Sequence, residues 1–581
     1  MNILGISCFY HDAAAAVIKD GKLAAALQEE RFTREKNTAV FPRQAISRAL
    51  EIGGLTIGDL DYVVFYEKPF IKLERILSTH LAVWPRSLGA FLEFLPEWAK
   101  RKLHIPAMIR SETGFEKSIL FVEHHLAHAA AAFLVSPFEE AAILTYDGVG
   151  EWTTALRGVG RGLQIETFDE IHFPHSLGLL YSAVTGYLGF RVLSGEGNVM
   201  GLAPYGRPRY LDKLRQVLHV AEDGSFALDL SYFRFHYGTT AGLMVNRAFE
   251  RLMGHPPRRP SEEVEQHHAD IASSLQAILE DTVIRLARDL HTRTGLKHLC
   301  LAGGVALNAV ANSRILSETP FERIFVQPAA GDAGAALGAA AYVLNSVLGH
   351  PRFEMEHAYT GTEYPDAEIE SFLRGRAVEW RRFNDRAELL RETASLLARD
   401  EIVGWFQGRM EYGGRALGAR SILASPMSLE MKRKLNLKVK HRENHCTFAP
   451  VVPCERLMDY FETSHPSPFM LLVAPVRREV REIVPTVTHV DGSARIQTLE
   501  RRHHPLFYDL LEEFGKQTGV PILVNTSFNT RGQPIVESPK DAYECFASTR
   551  MDHLLMGSYL VSKPSLGRSW NASDENGDSR L

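Results

Sequence analysis

Cysteine is scarce and unpatterned in this sequence: Cys8, Cys300, Cys446, Cys454 and Cys545 are scattered, with no CxxC pair. Such thiols make neither a disulfide framework nor a cysteine-built zinc site, and they suit a reducing cytoplasm. Long apolar runs are missing too. No stretch approaches the roughly 18–20 residues needed to span a bilayer. The opening Met1-Asn2-Ile3-Leu4-Gly5 lacks a basic segment followed by an apolar one, so no signal peptide is expected. The expectation is a cytoplasmic protein with no membrane partner. Positive charge is not in surplus, because the net charge is −5. A nucleic-acid partner, which needs a broad basic footprint, is therefore not expected. What is present is a soluble composition, 45% hydrophobic and 23% charged, over 581 residues. That length calls for two or more domains.

One segment departs from the average. Residues 401–450 carry nine Lys/Arg against four Asp/Glu. A basic island in an acidic chain suits a small anion, although a solvated helix face around Met431–Lys440 accounts for part of it. The N-terminus reads as a strand meander: Asn2–Cys8, the polar turn Phe9-Tyr10-His11-Asp12, Ala13–Ile18, a Gly21 turn, and Leu23–Gln28. The layout recurs at Ala141–Tyr146, Asp147-Gly148-Val149-Gly150, Trp152–Arg157, a glycine-rich turn at Gly158–Gly162, and Leu163–Phe168. Helices are predicted at Gln44–Ile52 and His267–Leu290, and strands at His298–Leu301 and Ile324–Gln327. Two such units imply a duplicated α/β fold resembling the ATPase architecture of actin, hexokinase and heat-shock chaperones. Gly349–Thr362 reads as a linker, followed by a helix (Arg386–Asp400), a strand (Ile402–Phe406) and a buried strand breaking into a polar loop at Gly519–Asn529. Ser565–Leu581 has the composition of a disordered tail.

The sharpest chemical signal is Glu123-His124-His125-Leu126-Ala127-His128. On a helix, His124 and His128 share one face with Cβ atoms about 5–6 Å apart and can reach one metal ion. The alternative is two satisfied histidines buried among alanines. A zinc protease needs Glu directly after the first histidine, where His125 stands. Asp147 and Asp332 each follow a predicted strand and could be ordinary turn residues; added to the histidines they make a two-His, two-carboxylate set suited to Fe(II), Mn(II) or Zn(II). The strand-to-helix turn Gly303-Gly304-Val305-Ala306-Leu307-Asn308 either brings backbone N–H groups to a phosphate or packs helix on sheet. Gly195–Gly206 is a second glycine-dense stretch, read as a binding loop or a surface connection.

Ile3–Lys36 (ending Glu29-Glu30-Arg31-Phe32-Thr33-Arg34-Glu35-Lys36), the His124/His128 pair, Tyr146-Asp147-Gly148, Val199–Gly206, Gly303–Asn308 and Gly331–Gly334 together resemble the NodU/CmcH-type O-carbamoyltransferases. The likeness spans about residues 1–562. It implies a TsaD-like, actin/hexokinase-type domain over residues 1–355 and a YrdC-like α/β domain over 356–564. It also implies that ATP with Mg2+ and carbamoyl phosphate form a carbamoyl-adenylate, whose carbamoyl group passes to a hydroxyl of a natural product or sugar. The resemblance places a metal, usually iron, on His124, His128, Asp147 and Asp332, an acceptor-activating base at His11, and Lys36 beside the adenylate. Gly303, Gly304, Val305 and Asn308 fall in its nucleotide loop.

Carbamoyl phosphate is a small dianion and demands fixed cationic donors. Lys440-His441-Arg442 is similar to the YrdC phosphate-binding signature. Arg415, Arg420, Arg495 and Arg531 are further candidates, as are Asn525, Thr526 and Asn529 for the carbamoyl group and adenosine phosphates. Asn198 stands where many relatives carry lysine, which removes a charge from that loop. Rival readings are a tRNA threonylcarbamoyl transferase, whose acceptor would want a basic surface, and a sugar kinase or actin-type ATPase, which has no need of the histidine pair. Acceptor choice is assigned to loops at Val83–Arg110 and Pro256–Pro260.

Overall fold

The computed structural model describes residues 1–563 apart from 101, 239–242, 377 and 443–445; the polar segment 565–581 lies outside the described residues. The first sheet contains β1 (Asn2–Ser7), β2 (Ala14–Lys19), β3 (Lys22–Gln28), β4 (Tyr62–Phe65) and β5 (Ile119–Phe121) in the order 3-2-1-4-5. The second contains β6 (Glu140–Tyr146), β7 (Thr153–Arg161) and β8 (Gln164–His172). After a small hairpin of β9 (Leu218–Val220) and β10 (Phe226–Leu228) it is completed by β11 (His298–Ala302) and β12 (Arg323–Val326), in the order 8-7-6-11-12. The first three strands of each sheet are antiparallel and the last two join in parallel. The same topology therefore occurs twice, and this half of the chain has the duplicated actin/hexokinase-like fold. The glycine-rich stretch after Arg157 is not a turn. β7 continues through it to Arg161, and a side chain at Gly160 would collide with the Phe133 ring.

Two alanine-rich helices form the seam between the sheets. His124–Phe133 closes the first repeat but packs on the second sheet, while Asp332–Ala341 closes the second repeat and packs on the first. They also pack on each other, and the approach is closest at Gly338. A Cβ there would stand 1.9 Å from the Ala127 carbonyl oxygen, far inside van der Waals contact. Alanine and glycine are common in both helices because only small side chains permit this spacing.

Residues 349–362 contain no helix or strand beyond an isolated bridge from Tyr359 to Glu411. A second α/β unit follows, built on a nine-stranded sheet: β13 (Trp380–Arg382), β14 (Val403–Phe406), β15 (Arg420–Ala424), β16 (Ala449–Pro453), β17 (Leu472–Pro475), β18 (Ser493–Leu499), β19 (Leu523–Ser527), β20 (His553–Met556) and β21 (Tyr559–Ser562), ordered 13-21-20-14-15-19-16-18-17. Alternate residues of its central strands enter separate cores. Ile422, Val452, Val524 and Leu554 pack on one face; Leu423, Val451, Leu523 and Leu555 pack on the other. Period-two alternation of wholly apolar strands thus buries both faces.

The two units are tied by side chains satisfying carbonyls across the join. Arg31 donates to Gly413 O at 2.6 Å, Arg34 to Ile535 O at 2.7 Å, and Arg409 to Ala24 O at 2.8 Å. Tyr412 reaches the Ala333 carbonyl at the start of the seam helix.

Gly338→Ala is expected to lower stability by about 1–3 kcal/mol, the usual cost of overpacking a tight interior. A shift of the urea midpoint checks it, and an unshifted midpoint would mean that the seam can widen freely.

Candidate functional site

The seam helices bring four side chains to one point. His124 begins its helix directly after Glu123, and His128 follows one turn later. Their Nε2 atoms are 3.1 Å apart, and each is 3.1 Å from Asp147 Oδ2. Asp147 lies just beyond the end of β6; its other oxygen accepts the N–H of Gly148 at 2.7 Å and of Gly304 at 3.1 Å, which leaves Oδ2 to face the imidazoles. Asp332 opens the second seam helix. Its Oδ1 lies 3.7 Å from both Nε2 atoms, too long for hydrogen bonds, and both of its buried oxygens have no donor among the described residues. Suitable ligand atoms from all four residues lie within 4.8 Å of one another. Two imidazole nitrogens pointed at each other beside an unsatisfied buried carboxylate fit a divalent cation with N/O ligands. His125 faces elsewhere, its Nδ1 2.6 Å from Thr145 Oγ1.

His11 stands beside this cluster in the β1–β2 turn. Its Nδ1 is 3.0 Å from Asp12 Oδ2, and its Nε2 is 3.8 Å from Asp332 Oδ2. Asn37 holds Asp12 from the other side, donating at 2.7 Å. Burial disfavours a charged imidazole here, yet Asp332 and Asp12 outweigh it and raise the His11 pKa to about 10. Lys36 is half-buried near Arg31, and its pKa is lowered chiefly by burial.

The glycine turn does two jobs. Gly303 has φ +91°, and a Cβ there would lie 2.2 Å from Tyr146 O, so its role is close packing of the turn on β6; it does not line the cavity. Gly304, Val305 and Asn308 do line it, although the Gly304 N–H is already given to Asp147. Asn308 caps the helix Ala309–Glu318 by accepting from Ala311 N, and exchanges hydrogen bonds with Gln276 at 2.9 and 3.0 Å. The stretch Gly195–Gly206 is not a loop. It forms the helix Glu196–Leu202 and a following 3-10 turn, with Asn198 facing the cavity.

One cavity of about 1900 Å3 runs from His11 and Asp147 to the second unit, so the candidate residues of both units open on one volume. Single-ligand pockets commonly occupy about 300–1,000 Å3, and this one has room for two substrates. At the far end stand Arg415, Arg442 and Arg495. Arg415 has no hydrogen-bond or ion-pair partner among the described residues, and burial lowers its pKa to about 10. Arg495 Nε is buried without a partner; burial, then Arg415 and Arg442, press its pKa well down. Arg442 donates to Asn436 Oδ1 at 2.7 Å and lies over the Phe448 ring. Three guanidiniums close enough to destabilise one another make an anion site.

Other basic candidates serve the chain itself. Lys440 is buried outside the cavity lining, with Ser527 O at 2.7 Å and Asn529 Oδ1 at 2.6 Å, so it braces the loop after β19. Arg420 is fully buried among the carbonyls of Gln407, Gly408, Ala419 and Thr362. Arg531 is exposed and does not line the cavity, because the turn after Asn529 carries it outward. Asn525, Thr526 and Asn529 line the cavity, but the Asn529 amide is spent on Lys440, Ser527 and Gln533. The expected acceptor loop Val83–Arg110 is largely helical, at Leu88–Lys100 and Ile105–Thr113, and its Phe94 and Trp98 face the cavity. Pro256–Pro260 does not line it. Sequence reading passed over Arg75 and His489 and gave no role to Asp12, beside His11, or to Asn37, beside Lys36; all four line the cavity.

These features define a two-unit α/β protein in which an actin/hexokinase-like half and a second mixed sheet share one cavity. The chain belongs to the carbamoyltransferase family: the model of the carbamoyltransferase N-terminus matches residues 2–341, and that of the C-terminus matches 394–563. A Synechocystis sp. protein, sll1178, is 46% identical, with 97% of each chain covered. Nodulation protein NolNO of Sinorhizobium fredii is 38% identical over 96% of this chain and 79% of its own. Nodulation protein U of Rhizobium tropici is 28% identical, covering 97% of this chain and 96% of its own. Family membership makes it a transferase of carbamoyl groups.

The metal-stripped chain is expected to bind one divalent ion, with Asp332→Asn weakening binding by more than about tenfold. For His128, burial favours the neutral form, but Asp147 and Asp332 raise its pKa to about 9. It is therefore protonated at neutral pH before the ion binds and must be neutral to ligate, so binding releases a proton and weakens as pH falls. Calorimetry in buffers of different ionisation enthalpy reads both effects. Equal affinity in the variant and the parent would show that the four side chains do not form one site.

Proposed function

We propose that the protein is an ATP-dependent O-carbamoyltransferase that takes its carbamoyl group from carbamoyl phosphate and delivers it, through carbamoyl-adenylate, to a hydroxyl of a small molecule. The observation carrying this reading is one cavity with two ends of opposite character. Arg415, Arg442 and Arg495 gather at one end; His11, Asp147 and Asp332 gather at the other.

In the first half-reaction water takes the phosphoryl group from carbamoyl phosphate, leaving carbamate and phosphate; a carbamate oxygen then bonds to the α-phosphorus of ATP as the bond to pyrophosphate breaks, leaving the carbamoyl group joined to AMP. Both donors are polyanions, and the three guanidiniums supply fixed charge and forked N–H donors to hold them. In the second half-reaction the acceptor oxygen bonds to the carbonyl carbon, the bond to the AMP phosphate breaks, and the hydroxyl proton must leave. His11 is the group placed to accept it, with Asp12 orienting the ring through Nδ1 and leaving Nε2 to face the cavity. A divalent ion on His124, His128, Asp147 and Asp332 would offset the carboxylate charges that keep His11 protonated and would neutralise the departing phosphate. Lys36, reaching in from the β3 side toward Arg415, completes the cationic wall between the two ends.

The division of labour is testable. His11→Asn should leave carbamoyl-phosphate-dependent exchange of pyrophosphate with ATP running, since adenylate formation precedes AMP release, and cut transfer to an acceptor by roughly 10²–10⁴-fold, the usual worth of a positioned base. Arg495→Met should stop the exchange itself. Mass spectrometry of product and labelled pyrophosphate separate the two losses; the assignment fails if His11→Asn loses both activities or Arg495→Met loses neither.

A further inference from the structure

Arg75 is a buried charged group in this cavity that the proposed reaction leaves without work. It lies in the helix Pro69–Ala82, is 7% exposed, and lines the cavity near Tyr10, whose ring centroid is 4.7 Å from that of His11. Its guanidinium is stacked 4.7 Å from the Phe173 ring centroid. Nε is buried without a partner, and no nitrogen of the group has a hydrogen bond or ion pair among the described residues.

The nearby acids are all committed. Glu67 pairs with Lys72, one turn earlier on the same helix face, and Lys72 Nζ itself stands 4.9 Å over Tyr10. Glu151 accepts the backbone N–H groups of Lys68, at 2.7 Å, and His124, at 3.1 Å. A buried guanidinium without a counter-ion is costly, and such groups are retained where a ligand supplies the missing charge. Its ring-stacked plane presents a fork matched to a carboxylate. The neighbouring lining is aromatic, contributed by Phe94, Trp98, Phe173 and Phe235.

We infer that the acceptor carries an anionic group of carboxylate class, separated from its reactive hydroxyl by an apolar or aromatic body, and that Arg75 binds this group while the hydroxyl meets His11. This rests on the proposed carbamoyl transfer for the hydroxyl, but not for the anion site, which can be measured alone. It also predicts discrimination: a polycationic acceptor would leave Arg75 unpaired and add repulsion, whereas an acid of the right length would relieve the buried charge.

The test uses 4-(hydroxymethyl)benzoate and its neutral counterpart 4-(hydroxymethyl)benzamide with the full chain. Calorimetry without carbamoyl phosphate should show the acid bound roughly tenfold or more tighter than the amide, the scale of a charge-assisted bond. Arg75→Met should erase that preference, and Arg75→Lys, which keeps charge but not the fork, should restore part of it. With ATP and carbamoyl phosphate added, the acid should gain a carbamoyl group faster than the amide. Equal binding of acid and amide by the parent chain overturns the inference without need of any variant. Loss of carbamoyl-phosphate-dependent exchange of pyrophosphate with ATP in Arg75→Met also overturns it, since Arg75 would then serve the donor. An Arg75-dependent preference for the acid without any carbamoyl transfer upholds the anion site and removes the transfer reading instead.

Discussion

Everything at the reactive end depends on how closely two helices can pass. The Asp332 carboxylate reaches the His124 and His128 rings only because the helix that begins at Asp332 lies against the helix that begins at His124, with Gly338 under the Ala127 carbonyl. Each helix covers the sheet of the opposite repeat, so the distance between the helices is also the distance between the two halves of the duplicated fold. A cation held there would bridge the repeats. Without one, two buried carboxylates face each other's charge across paired imidazoles, which low local dielectric makes expensive. The fold sustains that cost because the seam is otherwise alanine and glycine packed at crystal-like density.

The cavity as a whole separates charge by sign. Carboxylates collect near β1 and β6, and guanidiniums near β15, β16 and β18, with Lys36 and Arg31 between them. Ordinary surface ion pairs would have cancelled such charges locally. Some cavity-facing arginines are cancelled in this way, Arg314 by Glu280 and Arg31 by Glu30, but Arg75 and Arg415 have no acid paired to them among the described residues. Buried guanidiniums left uncompensated are the pattern of groups awaiting ligands rather than of a stability network.

Much of this was legible in the chain and some was not, for identifiable reasons. The strand meanders repeat turn residues at matching places, so the duplicated sheets could be read directly, and the i, i+4 spacing of His124 and His128 fixes one helix face whatever surrounds it. Arg420 and Lys440 misled because charge in a sequence does not say whether the fold will wrap its own carbonyls around a side chain; both are buried in just that way. Gly195–Gly206 looked like a loop because glycine lowers helix propensity, and tertiary packing of Val199 and Leu202 overrode it. Arg75 gave no signal at all. On the sequence it is one arginine in an amphipathic helix, and only its burial beside acids already committed to other bonds makes it conspicuous.

That both ends open on one space bears on the chemistry proposed. A carbamoyl-adenylate is a mixed anhydride that water would hydrolyse, and a protein that made it at one surface site and used it at another would lose much of it to solvent. The arginines and His11 instead open on the same volume, and cross-unit bonds from Arg31 and Arg34 to Gly413, Pro534 and Ile535 hold its two walls together. Those bonds involve the short helix Glu30–Thr33 directly before Lys36. The same few residues therefore fasten the second unit to the first and carry the lysine that lies between donor and acceptor ends. Joining the units and lining the path between the half-reactions are, in this chain, one structural task.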